Sequence, residues 1–285
     1  MTAYEEIRAA KAKLEEISLK KNLKAILIGV EEYNEKIARK IPNAVRDVNA
    51  LTDFLREVWQ IPEENIYSFT GYVPGAGMLD KIKGICDSLT EEDHLLIYYA
   101  GHGTEIEGHS YLVFSDMDFE RGETESEYRG IKLEELNQVM GCCKSKIKVR
   151  IFDACNCGES FNKMVVPTPR GIAADQQLAF VRDVLTLKML EEIMTSGKGW
   201  ITFCSCAMAE SSGEMMQTED PERHGIFTYY LLKGLKGEAR RGEGPMYLED
   251  LKIYLCNTVP YMAEFYTHKQ HPQFQCEVQG NITLD

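Results

Sequence analysis

The sequence predicts a single α/β domain built on a mostly parallel sheet with helices on both faces. Short apolar runs of strand length alternate with amphipathic segments of helical spacing along most of the chain, which is the pattern of parallel β-α-β units. The composition agrees, because 44% hydrophobic and 27% charged residues in a chain of 285 are typical of a globular protein. Neither a low-complexity linker nor an internal repeat divides the chain.

Five apolar runs predict the strands of this sheet. They lie at 24–30 (KAILIGV), 65–70 (NIYSFT), 93–101 (DHLLIYYAG), 146–155 (KIKVRIFDAC) and 199–206 (GWITFCSC). Strands of a parallel sheet are covered on both faces and therefore read as continuous apolar runs rather than as alternating ones.

Amphipathic segments between and after these runs predict the helices. They lie at 43–59, 78–89, 132–141, 185–194, 225–237 and 247–259. In the first of them, Val45, Val48 and Leu51 share one helical face directly after Pro42, which is a favoured residue at a helix start. The first residues of the chain also have apolar side chains at helical spacing, so we expect an N-terminal helical extension over 1–22 and the folded domain over 23–285.

Charge and composition exclude several classes of protein. No apolar run approaches the roughly 20 residues of a membrane helix, and the N-terminus is too charged for a secretory signal, so we expect a cytoplasmic protein that binds no membrane. A net charge of −13 argues against binding of nucleic acid.

Nine cysteines without an export signal indicate reduced thiols rather than a disulfide framework. The pairs Cys142-Cys143, Cys155-x-Cys157 and Cys204-x-Cys206 leave structural zinc as an alternative, because thiolates bind zinc tightly. Their spacings differ from the usual flanking C-x₂₋₄-C pairs, and we therefore expect no metal site.

Two chemically active residues end neighbouring strands of the predicted sheet. His102 follows the third strand in "YYAGHG", and Cys155 ends the fourth strand in "IFDAC". Functional groups in open α/β sheets collect at the carboxyl ends of the strands. An imidazole beside a thiol can take its proton, so the pair predicts a nucleophile with its base. The alternative is a histidine in a turn and a cysteine in the core.

His102 precedes Cys155 by 53 residues, and "YYAGHG" followed by "IFDACNCG" resembles the two catalytic blocks of the caspase and metacaspase superfamily of cysteine peptidases. "NAVRDVNAL", "YLVFSD" and "GIFTYYLLKGL" are similar to further blocks of metacaspases. The resemblance implies a caspase-like single domain with a central sheet of about six strands. It also implies a cysteine endopeptidase that acts on proteins or peptides without a required cofactor.

The resemblance implies a role for each residue of these blocks. Cys155 would attack the scissile carbonyl, and His102 would assist thiolate formation and protonate the leaving amine. The backbone N–H groups of Gly103 and Cys155 would hold the oxyanion. Cys157 competes as the nucleophile, but it stands where metacaspases have serine, and Asn156 replaces their histidine.

Two aspartates predict the preferred substrate. Asp153 stands two residues before Cys155, which in a strand places both side chains on one face. Metacaspases have Asp here and a second Asp in the first-helix block, matched by Asp47. A pair of carboxylates suits a guanidinium or an ammonium, so the resemblance implies cleavage after Arg or Lys.

Other interpretations of these residues remain open. Asp153 could cap a helix or bind loop amides, and Asp47 could be an ordinary acid in the first turn of a helix. Arg39, Asn43 and Arg46 lie near the point where a caspase places a pocket arginine, which leaves aspartate specificity as an alternative. Two small residues also depart from the metacaspase pattern, because Ala44 replaces a frequent Cys and Ala100 a frequent Ser.

A caspase-fold scaffold that lacks catalysis is the competing class, although intact His102 and Cys155 weigh against it. A cysteine-dependent transferase on an α/β sheet is a third class, which the register of the two blocks disfavours.

The segment 159–198 predicts activation by cleavage. Its first part, 159–177, contains two prolines and a glycine, which favour an exposed extended chain, and the basic residues Lys163 and Arg170 match the proposed pocket. We expect cleavage after one of these residues by another copy or by an upstream protease, and a plain surface loop is the alternative.

Calcium is a further expectation drawn from the resemblance, since many metacaspases need it. Acidic residues stand in the corresponding region at Asp116, Asp118, Glu134 and Glu135. Carboxylates suit calcium, but no loop with fixed ligand spacing is present, and a solvated acidic face explains them as well.

Overall fold

The computed structural model describes residues 16–34, 38, 40–106, 109–118, 129–155, 199–207, 210, 212–213 and 224–285. Its strands are β1 Glu16–Ser18, β2 Leu23–Val30, β3 Ile66–Gly71, β4 His94–Ile106, β5 His109–Leu112, β6 Ile131–Lys132, β7 Ile147–Cys155, β8 Trp200–Cys204, β9 Gln273–Cys276 and β10 Asn281–Thr283. Its α-helices are α1 Pro42–Asp53, α2 Met78–Ser88, α3 Leu133–Cys142, α4 Ile226–Lys233 and α5 Leu248–Phe265. Short π-helical segments, Phe54–Val58 and Gly234–Glu238, extend α1 and α4.

The central sheet confirms the predicted architecture. Its strands lie in the order β3-β2-β4-β7-β8-β9, and every pair is parallel except β8 with β9. The chain runs from β2 to β3 on one side and then crosses to β4 on the other side of β2. This reversal creates the crevice at the carboxyl ends of the strands in which α/β proteins bind their ligands.

Helices cover both faces of this sheet. Val149 and Ile151 of β7 line one interior space with Leu51 of α1 and Leu251 of α5. Arg150 points the opposite way and its guanidinium donates a hydrogen bond of 2.5 Å to Asn137 Oδ1 of α3. The alternation of side chains along β7 therefore places α1 and α5 on one face and α3 on the other.

Strand β4 is longer than predicted. The sequence predicts its end at Gly101, but the strand continues through the Gly-His-Gly to Ile106. The last pair with β7 is His102 with Cys155, and from Gly103 onward β4 pairs with β5 in an antiparallel hairpin. The hairpin supplies new backbone partners, so the glycines mark a change of neighbour rather than a strand end.

The predicted helical extension over 1–22 is wrong at its carboxyl end. Residues Glu16–Ser18 form β1, which pairs in parallel with β10, and Ile17 lies opposite Ile282. The free edge of β10 offers backbone hydrogen bonds, and this tertiary pairing overrides the helical spacing of the apolar side chains. Residues 1–15 and the predicted helix at 185–194 lie outside the described residues. Within the part of the chain that is described, no helix combines the length and the apolar character needed to cross a membrane.

Candidate active site

The two residues predicted to carry the chemistry occupy opposite positions on adjacent strands. His102 of β4 pairs in register with Cys155, the last residue of β7. Both stand at the carboxyl edge of the parallel sheet, where β4 leaves β7 to enter its hairpin. The structure therefore brings the backbones of His102 and Cys155 together.

Tyr33 holds His102 in place. The backbone N–H of His102 donates to the Tyr33 hydroxyl at 3.1 Å, and that hydroxyl donates to the carbonyl of Val30 at 3.0 Å. The two rings lie against each other with their centroids 4.6 Å apart and a tilt of 41°. His102 is 2% exposed, so its position is determined by buried contacts to the end of β2.

The hydroxyl of Tyr99 explains the first glycine of the Gly-His-Gly. It lies 2.7 Å from the carbonyl of His102 and 2.8 Å from that of Val113, across the start of the β4–β5 hairpin. A Cβ atom on Gly101 would lie 2.5 Å from this hydroxyl, far inside van der Waals contact. Gly101 thus leaves the space in which Tyr99 fixes the backbone of His102.

Gly103, the predicted oxyanion donor, follows His102 directly. It is buried and lies opposite Leu112 in the first pair of the hairpin. The carbonyl of His102 accepts a hydrogen bond of 2.9 Å from the backbone of Val113. The backbone on either side of Gly103 is therefore anchored by the hairpin.

A pocket with an empty volume of about 260 Å³ opens beside the paired residues His102 and Cys155. Its lining combines the start of α1 with the residue before it, the ends of β4 and β7, and the connection between β8 and α4: Ile41, Asn43, Ala44, Asp47, Ala100, Gly101, Asp153, Ser212, Gly213 and Gly225. Both predicted pocket carboxylates are among these residues, although they are 106 positions apart in the chain. Ala100, which pairs with Asp153, and Gly101 connect the pocket directly to His102.

The position of Asp47 depends on the close packing of α1 on β2. A Cβ atom on Gly29 of β2 would lie 2.4 Å from the carbonyl oxygen of Ala44, so only glycine admits the helix at this distance. Asp47 is 3% exposed. One of its oxygens accepts hydrogen bonds from His224 Nδ1 at 2.9 Å and from the backbone N–H of Gly225 at 3.2 Å.

Burial raises the pKa of Asp47 from 3.8 to about 7, and the hydrogen bond from His224 opposes this effect without cancelling it. The negative charge of Asp153 adds to the increase. In the unliganded pocket the ionised form of Asp47 is therefore poorly stabilised, and a cation that entered the pocket would stabilise it.

Asp153 is 4% exposed and is held by two hydroxyl groups. Ser212 donates to Oδ1 at 2.5 Å and Thr228 of α4 donates to Oδ2 at 2.7 Å. Burial raises the pKa of Asp153 above its usual value, while these hydrogen bonds lower it. Neither hydroxyl carries a charge, so the described partners of Asp153 do not neutralise it.

Gly225 keeps the space between the two carboxylates open. A Cβ atom at this position would lie 3.2 Å from Oδ2 of Asp47 and 3.2 Å from Oδ2 of Asp153. The two oxygens thus flank the same point of the pocket. A side chain there would occupy the position in which a guanidinium or ammonium could contact both carboxylates.

Basic residues are absent from the described lining of this pocket. Arg46 lies exposed on α1 and donates to Asn43 Oδ1 at 3.3 Å, while Asn43 itself is one of the lining residues. Arg39 lies outside the described residues. The described lining therefore contains two carboxylates and no basic side chain.

Four residues of this site stand in no motif that predicts a role for them. They are Tyr33, Ser212, His224 and Gln270. Each contacts a predicted site residue or its immediate partner from a distant part of the chain. Gly225 and Thr228 do have a visible signal, since both belong to the block "GIFTYYLLKGL" that is similar to a metacaspase block.

The acidic residues considered for calcium form no cluster among the residues that the structure describes. Among the residues that the structure describes, no group of three or more His, Cys, Asp or Glu side chains could hold a metal ion. Asp116 accepts a hydrogen bond of 2.6 Å from the backbone of Gly75, and its other oxygen lies 3.8 Å from Arg129 Nη1. Of the remaining predictions, those on Asn156, Cys157, Lys163 and Arg170 fall outside the described residues.

A family model for the caspase domain matches residues 22–282. The chain belongs to the caspase domain family. The match covers every strand and helix from β2 to α5, and it agrees with the predicted caspase-like α/β fold. A caspase domain supports a cysteine-type peptidase that acts on protein substrates. A search of the curated proteins gave no match.

Proposed function

We propose that this caspase-domain protein is an endopeptidase that uses Cys155 as nucleophile and His102 as general base, and that it cleaves after Arg or Lys. The observation that carries the proposal is the pair of buried carboxylates, Asp47 and Asp153, in a pocket that adjoins the His102–Cys155 register. Because this pocket is acidic, we compare the chain with metacaspases and not with aspartate-specific caspases.

The proposed chemistry follows the acyl-transfer scheme of thiol peptidases. The thiol of Cys155 gives its proton to His102, and the resulting thiolate attacks the carbonyl carbon of the scissile bond. The backbone N–H groups of Gly103 and Cys155 stabilise the oxyanion. His102 then protonates the leaving amine, and water hydrolyses the acyl-enzyme to release the second product and the free thiol.

Electrostatics support a basic residue before the scissile bond. Two buried carboxylates repel each other, and both have pKa values above the usual range of aspartate. A guanidinium between them would form charge-assisted hydrogen bonds to Oδ2 of each, and an ammonium would form fewer. Aspartate specificity would require a basic side chain in the pocket, and the described lining has none.

Reaction with peptidyl electrophiles tests both parts of this proposal. A peptidyl-arginyl acyloxymethyl ketone should alkylate Cys155, and the matching aspartyl compound should not. The peptide that carries the label is identified by mass spectrometry, with Cys155→Ala as the control. Alkylation of another cysteine would contradict the proposed nucleophile, faster reaction with the aspartyl compound would contradict the pocket, and no reaction with either would favour a silent scaffold.

We also propose that cleavage after Lys163 or Arg170, by another copy or by an upstream protease, activates the enzyme. Incubated protein should yield new termini at these residues, and the Cys155→Ala variant alone should stay whole. A Lys163→Ala/Arg170→Ala variant should remain one chain with low activity, and full activity of that uncut chain would contradict the proposal. Assays with added calcium and with a chelator test whether calcium contributes.

A further inference from the structure

Gln270, between α5 and β9, is fully buried, and its side chain forms three hydrogen bonds to the segment that follows β8. Its Oε1 accepts from the backbone N–H of Gly213 at 2.9 Å. Its Nε2 donates to the carbonyl of Ser205 at 3.0 Å and to the hydroxyl of Ser212 at 3.0 Å. A single side-chain amide therefore binds the segment after β8 both at Ser205 and at Ser212–Gly213.

The contact with Ser212 determines the direction of its hydroxyl proton. The amide nitrogen of Gln270 can only donate, so the Ser212 oxygen must accept in this contact. The single proton of Ser212 is then available for Asp153 Oδ1, which lies 2.5 Å away. Gln270 thus acts on Asp153 through Ser212, because Gln270 donates a hydrogen bond to Ser212 and Ser212 donates one to Asp153.

The same amide fixes the pocket wall to the central sheet. Ser205 donates its backbone N–H to the carbonyl of Phe152 at 2.9 Å, directly beside Asp153. Because Gln270 binds both Ser205 and Gly213, it holds Gly213 at a fixed distance from β7. Glu210 forms a second contact of this loop on the surface, where one of its oxygens lies 2.5 Å from His271 Nδ1.

We infer that Gln270 is a positioning residue for substrate specificity: it orients Ser212 and Gly213 so that Asp153 can receive a basic side chain. This inference rests on the proposed function of the pocket. It assigns no contact of Gln270 with the substrate. The surface contact of Glu210 with His271 does not reach the pocket lining and has no part in the inference.

Replacement of Gln270 by leucine keeps a similar volume and removes the amide. The Gly213 N–H and the Ser205 carbonyl then lose their Gln270 partner, and Ser212 loses the donor that directs its proton toward Asp153. A buried polar group without its partner is costly, so the wall is expected to rearrange. The nucleophile and its base do not contact Gln270 through any of these bonds.

The test compares Gln270→Leu with the matched control Gln273→Leu. Gln273 lies three residues further on, and its amide reaches only the adjacent carbonyls of His271 and Pro272. For a peptide with Arg before the scissile bond, Gln270→Leu should lower kcat/KM by about 10- to 100-fold, and the control should stay near the wild type. Alkylation of Cys155 by iodoacetamide, which needs no basic pocket, should proceed at the wild-type rate in both variants.

Each outcome has a distinct meaning. If the wild type does not cleave after Arg or Lys, the proposed function fails. If the wild type does and Gln270→Leu cleaves equally well, or if Gln273→Leu loses as much, the role of Gln270 is refuted. If Cys155 alkylation falls in step with cleavage, the effect of Gln270 is on the fold as a whole and the inference is also refuted.

Gln270→Glu gives a second readout if the leucine variant does not fold. Glutamate keeps the acceptor for Gly213 but replaces the donor to Ser212 by a second oxygen, and protonation of the carboxyl restores one donor. The ratio of its activity to that of the wild type should therefore rise as the pH is lowered. A ratio that does not change with pH would overturn the inference.

Discussion

Asp47→Asn removes the charge of one pocket carboxylate and keeps its shape and its acceptor oxygen for His224 and Gly225. Burial raises the pKa of Asp47 from 3.8 to about 7. One unit of pKa corresponds to 1.36 kcal/mol, so the ionised carboxylate costs the folded protein about 4 kcal/mol at most. Asparagine does not carry this cost.

The sign of the pH dependence follows from this shift. The folded state binds the proton of Asp47 more tightly than the unfolded state does, so the contribution of Asp47 to the stability of the wild type falls as the pH rises from about 4 to about 7. Asp47→Asn should therefore be more stable than the wild type at pH 8, and the difference should vanish toward pH 4. Denaturant unfolding of both proteins at pH 4.5 and pH 8 measures this difference in the free energy of unfolding. The contributions of the other titrating groups cancel when the two proteins are compared.

The same substitution should weaken cleavage after Arg. Loss of one of two carboxylates that contact a guanidinium is expected to lower kcat/KM by an amount that corresponds to about 2–5 kcal/mol of transition-state stabilisation. A variant that is more stable but less active would indicate that the buried charge of Asp47 serves substrate binding and lowers the stability of the fold. If Asp47→Asn is less stable than the wild type at pH 8, or cleaves equally well, Asp47 serves the fold through His224 and not the binding of a basic side chain.

Three further substitutions test the nucleophile and the space between the carboxylates. Cys155→Ala should abolish cleavage without a change in circular dichroism, because the thiol is lost and little volume changes. Cys157→Ala should remain active. The reverse pattern would assign the nucleophile to Cys157. Gly225→Ala should lower kcat/KM for peptides with Arg by about tenfold or more, since its methyl group would lie 3.2 Å from both carboxylates. An unchanged kcat/KM would show that the substrate binds elsewhere.

Local patterns were enough to predict the centre of the fold and the His102–Cys155 pair. Continuous apolar runs identify β2, β4, β7 and β8, and parallel strands bring their carboxyl ends to one edge. The prediction at the N-terminus was wrong at Glu16–Ser18, because the partner β10 lies at the other end of the chain and no local pattern records it.

The pocket wall could not be predicted for the same reason. Ser212, His224 and Thr228 reach Asp47 and Asp153 by hydrogen bonds between residues far apart in the sequence. Such contacts depend on the length and path of the loops after β8, and hydroxyl and imidazole groups occur in many loops without this role. Gly101 was visible as part of a motif, but its purpose, space for the Tyr99 hydroxyl, appears only in three dimensions.

We propose that the acidic pocket beside His102 and Cys155 selects a basic residue before the scissile bond. The most direct measurement is a cleavage profile on a peptide library that varies only this residue, with the wild type and Cys155→Ala assayed in parallel. We predict cleavage after Arg and Lys, and no cleavage by Cys155→Ala. Preferred cleavage after Asp, or equal cleavage after all residues, would contradict the claim.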